Sequence, residues 1–479
     1  MKYNFIKMVA REKERKQFDD FVKAKVSDFV VVYGRRRVGK TYLIREHFKQ
    51  QFSFYTAGLA NSSTQKQLVN FYSSLQEYNT ENIEIEIPKN WFEAFQSLRK
   101  ILTKNKSKKK VIFIDELPWF DTQKSSFLSA IEHFWNSWAS ARKDILLITC
   151  GSSASWMINK LINNTGGLHD RVTQKMKIVP FTLSECELYL KWKKINFSRY
   201  QIVEMYSVLG GIPYYLNGLE KGLSVSQNIN KMCFNDDGMM VNEFQNLYAS
   251  LFKNSETHVE IITALAKKSK GLTRNDIIST AKIPNGGGTT KVLNELVECG
   301  FARRYYQFDK KNKDCIYQLT DFYSLFYLKF IKDNKNAVKD FWINAIDNPM
   351  RRSWSGYAFE QVCLMHLPEI KTKLGISGIM TSEASWRSSD SENGAQIDLL
   401  IDRRDQVINL CEMKFSINEF KIDKKYEMEL RNKIGTFRSE TKTRKAVFLT
   451  MITTFGVKQN EYYGDLVQNE INMNDLFKN

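Results

Sequence analysis

The chain has 479 residues, length for about three domains at roughly 150 residues each, and its 43% hydrophobic and 26% charged content excludes a disordered or fibrous chain. Its 71 Lys and Arg against 53 Asp and Glu leave a net charge of +18, which points to an acidic partner, nucleic acid first and nucleotide second; a generally lysine-rich composition is the bland alternative. No apolar run nears about 18 residues and the start, MKYNFIKMVAREKERKQ, lacks the apolar centre of a signal peptide, so the expectation is a cytoplasmic chain with no membrane span.

With 23 Gly and 7 Pro there is little room for long flexible linkers. Seven scattered cysteines without a C-x-x-C pair, and only five histidines, argue against a disulfide framework or a structural zinc. Residues 350–479 hold 19 Lys and Arg against 18 Asp and Glu, so nearly all the excess charge lies before position 350.

The first strong signal is FVVVYGRRRVGKTYLIREHF, Phe29–Phe48, which reads as a buried strand, a glycine-bounded loop and a helix. Gly34, Arg35, Arg36, Arg37, Val38, Gly39, Lys40 and Thr41 fit G-x-x-x-x-G-K-[ST] in full. Glycines let backbone N–H groups wrap phosphates, and the helix N-terminus adds partial positive charge. Lys40 is placed to reach the β- and γ-phosphates of ATP, and Thr41 to hold Mg²⁺. A second strand, Val111–Ile114, ends in Asp115 and Glu116, the first suited to the Mg²⁺ shell and the second to polarising the attacking water. A third, DILLITCGSSASW from Asp144, brings the polar tip Thr149–Ser153 to the same end of a doubly wound parallel sheet. Arg171 then precedes a further strand, either as a γ-phosphate sensor or arginine finger or as an ordinary surface arginine.

Two more stretches carry a resemblance. VAREKERKQFDDF, ahead of the first strand, looks like the N-terminal box of AAA+-type ATPases. LGGIPYYL, Leu209–Leu216, resembles the G-x-P motif of the STAND branch of that superfamily. The resemblance implies an α/β P-loop core at 1–184 with a helical lid at 185–254, Pro213 as the lid's nucleotide contact, and work at subunit interfaces as a homo-oligomer. Thr149 and Ser152 stand where a polar sensor is common.

From Thr257 the pattern reads as three helices, HVEIITALAKKSKG, LTRNDIISTAKI (with Thr273 as N-cap) and NGGGTTKVLNELVECG (closing at Gly300). Two strands around a charged turn follow, which is the winged-helix order, at 255–320. The third helix offers Thr289, Thr290, Lys291 and Glu295 on its polar face, so it is either a reader of bases or a structural relay, the relay being favoured. DFYSLFYLKFI opens a helical connector, 321–349, with Phe322, Leu325, Phe326 and Phe330 at helical spacing.

The C-terminal segment, 350–479, has Glu360 on an apolar helix, then QIDLLIDRRDQVINLCEMKFS, Gln396–Ser416, as two apolar strands carrying Asp398, Glu412 and Lys414. Period-2 alternation puts Glu412 and Lys414 on one face, and Asp398 on the neighbouring strand can meet Glu412. Converging carboxylates make a hard-oxygen site for Mg²⁺ or Mn²⁺, with Lys414 free to act on a phosphate or a water. The alternative is a cross-strand ion pair of Asp398 with Lys414. Glu, then Asp, then Glu-x-Lys resembles the order of PD-(D/E)XK nucleases, with Ile397 in place of the motif's proline. The whole chain looks like archaeal and bacterial ATPases fused to a restriction-endonuclease-like domain. That implies an ATP-driven switch controlling a Mg²⁺-dependent nuclease, with DNA favoured over RNA as partner. The other reading is a non-cleaving regulatory ATPase whose later domains are DNA- or protein-binding platforms.

Overall fold

Phe29 to Val32 run apolar without a polar break, and a strand with no polar face must be covered on both sides. The computed structural model describes residues 9–163, 170–252, 254–308, 315–334, 340–346, 348–389 and 394–478, and divides into two compact units, 1–179 and 180–479.

In the first unit that run is β1, Asp28–Tyr33. With β2 (Phe54–Ala57), β3 (Lys110–Asp115), β4 (Ile145–Cys150) and β5 (Gln174–Lys177) it forms a wholly parallel sheet in the order β2-β3-β4-β1-β5. β4 thus lies between β1, which feeds the phosphate loop, and β3, which ends in the acidic pair. All three carboxyl ends open on one edge, where ligands of such sheets gather. Helices cover the faces as the continuous apolar strands require. Ser63 caps Thr64–Glu77 and Asn90 caps Trp91–Lys104, each side chain accepting a first-turn N–H. Trp91 is wholly buried, with the rings of Phe120 and Phe127 set nearly perpendicular to it at 5.4 and 4.8 Å. Each such ring contributes about 2–3 kcal/mol of burial.

The second unit opens with helices Leu183–Trp192 and Arg199–Leu209, each begun by a capping box, Thr182 with Glu185 and Ser198 with Gln201. Gly210 and Gly211 end the second of these, both left-handed at φ 64° and 66°. A Cβ on Gly211 would stand 2.3 Å from the Phe181 carbonyl oxygen, so only glycine fits. Ile212 returns to extended backbone and Pro213, half-buried, opens the short helix Pro213–Asn217, where its missing N–H costs nothing.

Helices Glu256–Ala266, Arg274–Ala281 and Gly287–Glu298 follow as expected, with Thr273 in a capping box with Asp276 and Gly300 left-handed just past the third. β6 (Leu272–Thr273), β7 (Ala302–Gln307) and β8 (Ile316–Leu319) pair antiparallel; the turn at 309–314 lies outside the described residues. Phe322, Phe326 and Phe330 are buried, the latter two against Trp342 and Trp354.

β7 also pairs parallel with β9 (Thr381–Arg387) through Tyr306–Ala384 and Gln307–Ser385. One eight-stranded sheet therefore runs through both segments, in the order β13-β12-β11-β10-β9-β7-β8-β6. β10 (Gln396–Arg403) and β11 (Val407–Lys414) are the expected antiparallel hairpin. β12 (Ala446–Thr453) lies parallel to β11 after the crossover helix Lys424–Thr441, and β13 (Asn469–Asn472) parallel to β12. Ile397, Leu400, Leu410 and Leu449 pack with Leu430 and Phe437 of the crossover helix, and helix Pro349–Met365 packs against β11.

Candidate functional site

The loop after β1 folds around its lysine. Gly34 has φ 143°, Arg37 φ 72° and Gly39 φ 86°, and helix Lys40–His47 starts directly on Gly39. A Cβ on Gly34 would lie 2.2 Å from the Ile178 carbonyl oxygen, while one on Gly39 would meet open space, as a backbone that approaches phosphates requires. Lys40 is buried and donates to the carbonyls of Gly34 and Arg35, both at 2.9 Å. Arg11, from the N-terminal box, donates to the Val38 carbonyl at 3.2 Å and to that of Val179 at 2.6 Å, tying loop to sheet edge. Nothing in the spacing of the box marks Arg11 for that role.

At the end of β3 Asp115 is buried. Burial pushes its carboxyl above the ordinary range, opposed by hydrogen bonds that include one from the Thr41 hydroxyl. Thr41 and Asp115, the two residues expected at Mg²⁺, are thus neighbours. Glu116 is left-handed at φ 45°, a conformation costing a non-glycine residue about 1–2 kcal/mol. Ser152, from the tip of β4, holds its carboxylate, donating its N–H at 3.3 Å and its hydroxyl at 2.9 Å.

Thr149 departs from expectation. It is wholly buried inside β4 and its hydroxyl donates to the Val30 carbonyl at 3.4 Å, so it is a core residue and the polar tip is left to Ser152 and Ser153. Arg171 is exposed in a turn, with 164–169 before it outside the described residues. The loop, Thr41 and Asp115 fit a magnesium nucleotide: a cradle open at Gly39, a lysine at its centre and a carboxylate near the threonine hydroxyl.

The second unit holds the other candidate residues. The register Leu399–Cys411 sets Asp398 opposite Glu412 at the next position along β10 and β11. Against β9, β10 slips by one residue between Ile397 and Leu400, so Asp398 sits in a β-bulge. This explains why Ile397 and Leu400, three apart, share one core face, and bulges re-aim side chains in just this way. Glu360 is pushed up to about 7, by burial first and then by the charges of Asp398 and Glu412, with Lys270 and Lys414 opposing. Glu360 therefore feels the charge of both other carboxylates.

Glu412 is itself buried. Lys414 pairs with one of its oxygens at 3.1 Å, Lys433 with the other at 2.8 Å, and the Tyr426 hydroxyl donates to the first at 2.6 Å. Burial raises its pKa, yet Lys433, Lys414 and Tyr426 outweigh it and hold the carboxyl below its ordinary value. The cross-strand pair of Asp398 with Lys414 is not what forms: Lys414 turns to Glu412, and Asp398 is taken by Lys270 at 2.6 Å. Tyr426 and Lys433 stand seven residues apart on one face of the crossover helix, a spacing that could have marked them; Lys270 had no such signal. Among the described residues no three His, Cys, Asp or Glu side chains are gathered closely enough to hold a metal ion. At this site lysines have drawn two of the carboxylates to themselves. As all-oxygen donors on neighbouring strands, Asp398 and Glu412 suit Mg²⁺ or Mn²⁺ once those ammonium groups move.

On helix Gly287–Glu298 three of the four polar-face residues are bonded within the protein, and Lys291 is exposed. Thr289 is buried and donates to the Pro284 carbonyl at 2.7 Å, Thr290 accepts from Arg274 at 3.2 Å, and Glu295 bonds the His258 ring at 2.9 Å.

Among the described residues no helix is long and apolar enough to cross a membrane. Residues 8–219 match a family described as an ATPase domain predominantly from Archaea. An uncharacterized protein of Methanocaldococcus jannaschii, MJECL04, is 25% identical over 378 residues, 76% of this chain and 77% of that one. The Walker-type ATPase PABY2304 of Pyrococcus abyssi has a similar fold, with a TM-score of 0.50 at 14% identity over 67% of this chain and 96% of that one. The ORC2 protein of Aeropyrum pernix, solved as ADPNP and ADP complexes, aligns with a TM-score of 0.42 at 12% identity over 70% and 96%. The domain at 8–219 is an archaeal-type ATPase domain, and the protein is an ATP-hydrolysing enzyme.

Proposed function

We propose that the protein is an ATP-driven switch whose C-terminal site is a divalent-metal-dependent nuclease acting on nucleic acid. In the ATPase domain Lys40 and the loop amides hold the phosphates, Thr41 and Asp115 hold Mg²⁺, and Glu116 takes the proton of the attacking water. Bound there, Mg²⁺ supplies charge neutralisation on the transferring phosphoryl group. Pro213 is the lid contact and Arg171 the γ-phosphate sensor of this reading. The winged-helix segment 255–320 serves as a relay in this reading, since Thr289, Thr290 and Glu295 of its third helix are bonded within the protein and Lys291 is the single cation on that face.

The observation that carries the nuclease assignment is Asp398 set opposite Glu412 on neighbouring strands, with Lys414 at 3.1 Å from Glu412 and both carboxylates raising Glu360. Asp398 and Glu412 are the metal-holding carboxylates and Lys414 acts on the scissile phosphate or the attacking water. Glu360, half-titrated near neutrality, is suited to passing a proton. The second reading, a non-cleaving platform, is favoured by the lysines already seated on Asp398 and Glu412. Purified protein incubated with plasmid, linear and single-stranded DNA and with RNA, plus Mg²⁺ or Mn²⁺, should cleave, and Lys414→Ala should not. Absence of cleavage in every nucleotide state leaves the platform reading.

A further inference from the structure

Lys270 comes from the turn between helix Glu256–Ala266 and β6, 128 residues before Asp398 in sequence. Its ammonium lies 2.6 Å from one Asp398 oxygen, which also accepts from the Gln396 side chain at 3.0 Å. Its side chain is 49% exposed and that of Asp398 27%, so neither is locked in by burial. The backbone around the pair is fixed: the Tyr305 hydroxyl of β7 donates to the Asp398 carbonyl at 2.7 Å, and β7 is hydrogen-bonded to β9. A half-exposed cation is therefore held over a carboxylate of metal-binding type by a hydrogen-bonded frame.

Beside it is a cavity of about 530 Å³ whose lining includes Lys267, Lys329, Lys332, Ser269 and Tyr357. Three lysines against the single carboxylate of Asp333 make it a place for an anion. Ser269 adjoins Lys270 in the chain and Tyr357 lies one helical turn before Glu360, so the lining comes within a residue of one and a turn of the other. Lys329 is braced there, its ammonium over the rings of Phe330 and Trp354 at 5.8 Å each.

We propose that Lys270 is the substrate-phosphate contact of the C-terminal site, kept on Asp398 until a phosphodiester strand entering along the lysine-lined cavity draws it off. The departure of Lys270 frees Asp398 for the divalent cation, so strand and cation bind cooperatively, and by linkage each raises the other's affinity by the same factor. This inference rests on the metal-dependent reading of that site.

The test is Mn²⁺ binding by full-length, nucleotide-free protein, followed by electron paramagnetic resonance of the free ion. It is run on a Lys414→Ala background to keep the strand intact, with Asp398→Asn marking which Mn²⁺ belongs to the site. Single-stranded DNA and RNA oligonucleotides, added separately, distinguish the two sources of the phosphodiester backbone. With Lys270 present, one or both should tighten Asp398-dependent Mn²⁺ binding roughly fivefold or more. Lys270→Ala and Lys270→Gln should bind Mn²⁺ more tightly without a strand and lose the coupling. Unchanged Mn²⁺ affinity and coupling in both variants would overturn the role of Lys270 and leave the metal site standing. No Asp398-dependent Mn²⁺ in any protein would remove the metal-site reading, and this inference with it.

Discussion

Ser152, at the tip of β4, gives both its backbone N–H and its hydroxyl to one oxygen of Glu116, the residue that ends β3 in a left-handed conformation. The strand order makes this contact available, because β4 lies next to β3 in the sheet. Ser152 so placed acts on the orientation of Glu116.

Ser152→Ala should therefore lower kcat for ATP hydrolysis and leave KM nearly unchanged. Loss of one hydrogen bond to a charged group is of order 1.5–3 kcal/mol, roughly tenfold or more in rate if it is fully expressed in the transition state. Glu116→Gln should lower kcat by roughly a hundredfold or more with ATP still bound. Steady-state phosphate release reads both, and a rise in KM without a fall in kcat would contradict the assignment.

In the phosphate loop two glycines should answer differently to alanine. At Gly34 the new Cβ meets a backbone oxygen at 2.2 Å, so Gly34→Ala should destabilise the first unit by about 3 kcal/mol. At Gly39 it meets open space and only the positive φ is penalised, about 1–2 kcal/mol. Denaturant unfolding should rank them so. Lys40→Ala should instead abolish ATP binding, measured by titration with a fluorescent nucleotide, and leave the fold intact.

His366 gives the second unit a pH dependence. Its buried ring donates from Nδ1 to the Val362 carbonyl at 2.8 Å and accepts at Nε2 from the Leu183 N–H at 3.0 Å, so the neutral form is the one that fits. Burial lowers its pKa from 6.5 to about 4, only partly opposed by the bond to Val362. Between those values the unfolded chain binds the extra proton and the folded one does not. This contribution to stability is constant above about pH 6.5 and is lost as pH falls toward 4, by up to about 3 kcal/mol. His366→Leu should lack that slope, and at pH 8 should be less stable by about 1–3 kcal/mol because Leu183 N–H loses its acceptor. Parallel slopes for the two proteins would contradict the protonation state.

Lys433→Met would leave Glu412 with Lys414 and Tyr426 only. The folded-state pKa of Glu412 is lowered, so its ion pairs stabilise above the ordinary carboxylate value and that stability is lost as pH falls through the folded one. The variant should be destabilised by about 3 kcal/mol near neutrality, and the difference from wild type should shrink in acid. Thermal unfolding across pH 4–8 measures it (~4 units).

How much of this was legible in the chain depends on sequence distance. Gly34–Thr41 and Asp115–Glu116 are strand-end motifs whose chemistry follows from residues a few positions apart, and both stood out. Thr149 misled because a strand buried on both faces gives its polar residues no side to point to. The partners of the C-terminal carboxylates were hidden for two reasons. A β-bulge at Asp398 breaks the alternation from which its direction would be read, and Lys270 arrives only because β7 joins the β9 edge of the sheet. No local pattern encodes that pairing.

The central claim, an ATPase domain governing a metal-dependent cutting site, is tested most directly by nucleic-acid cleavage with Mn²⁺ in the presence and absence of ATP. The account predicts cleavage that rises with ATP in the wild-type protein, loses its response to ATP in Lys40→Ala, and is absent from Lys414→Ala. Cleavage indifferent to nucleotide, or no cleavage in any state, would contradict it.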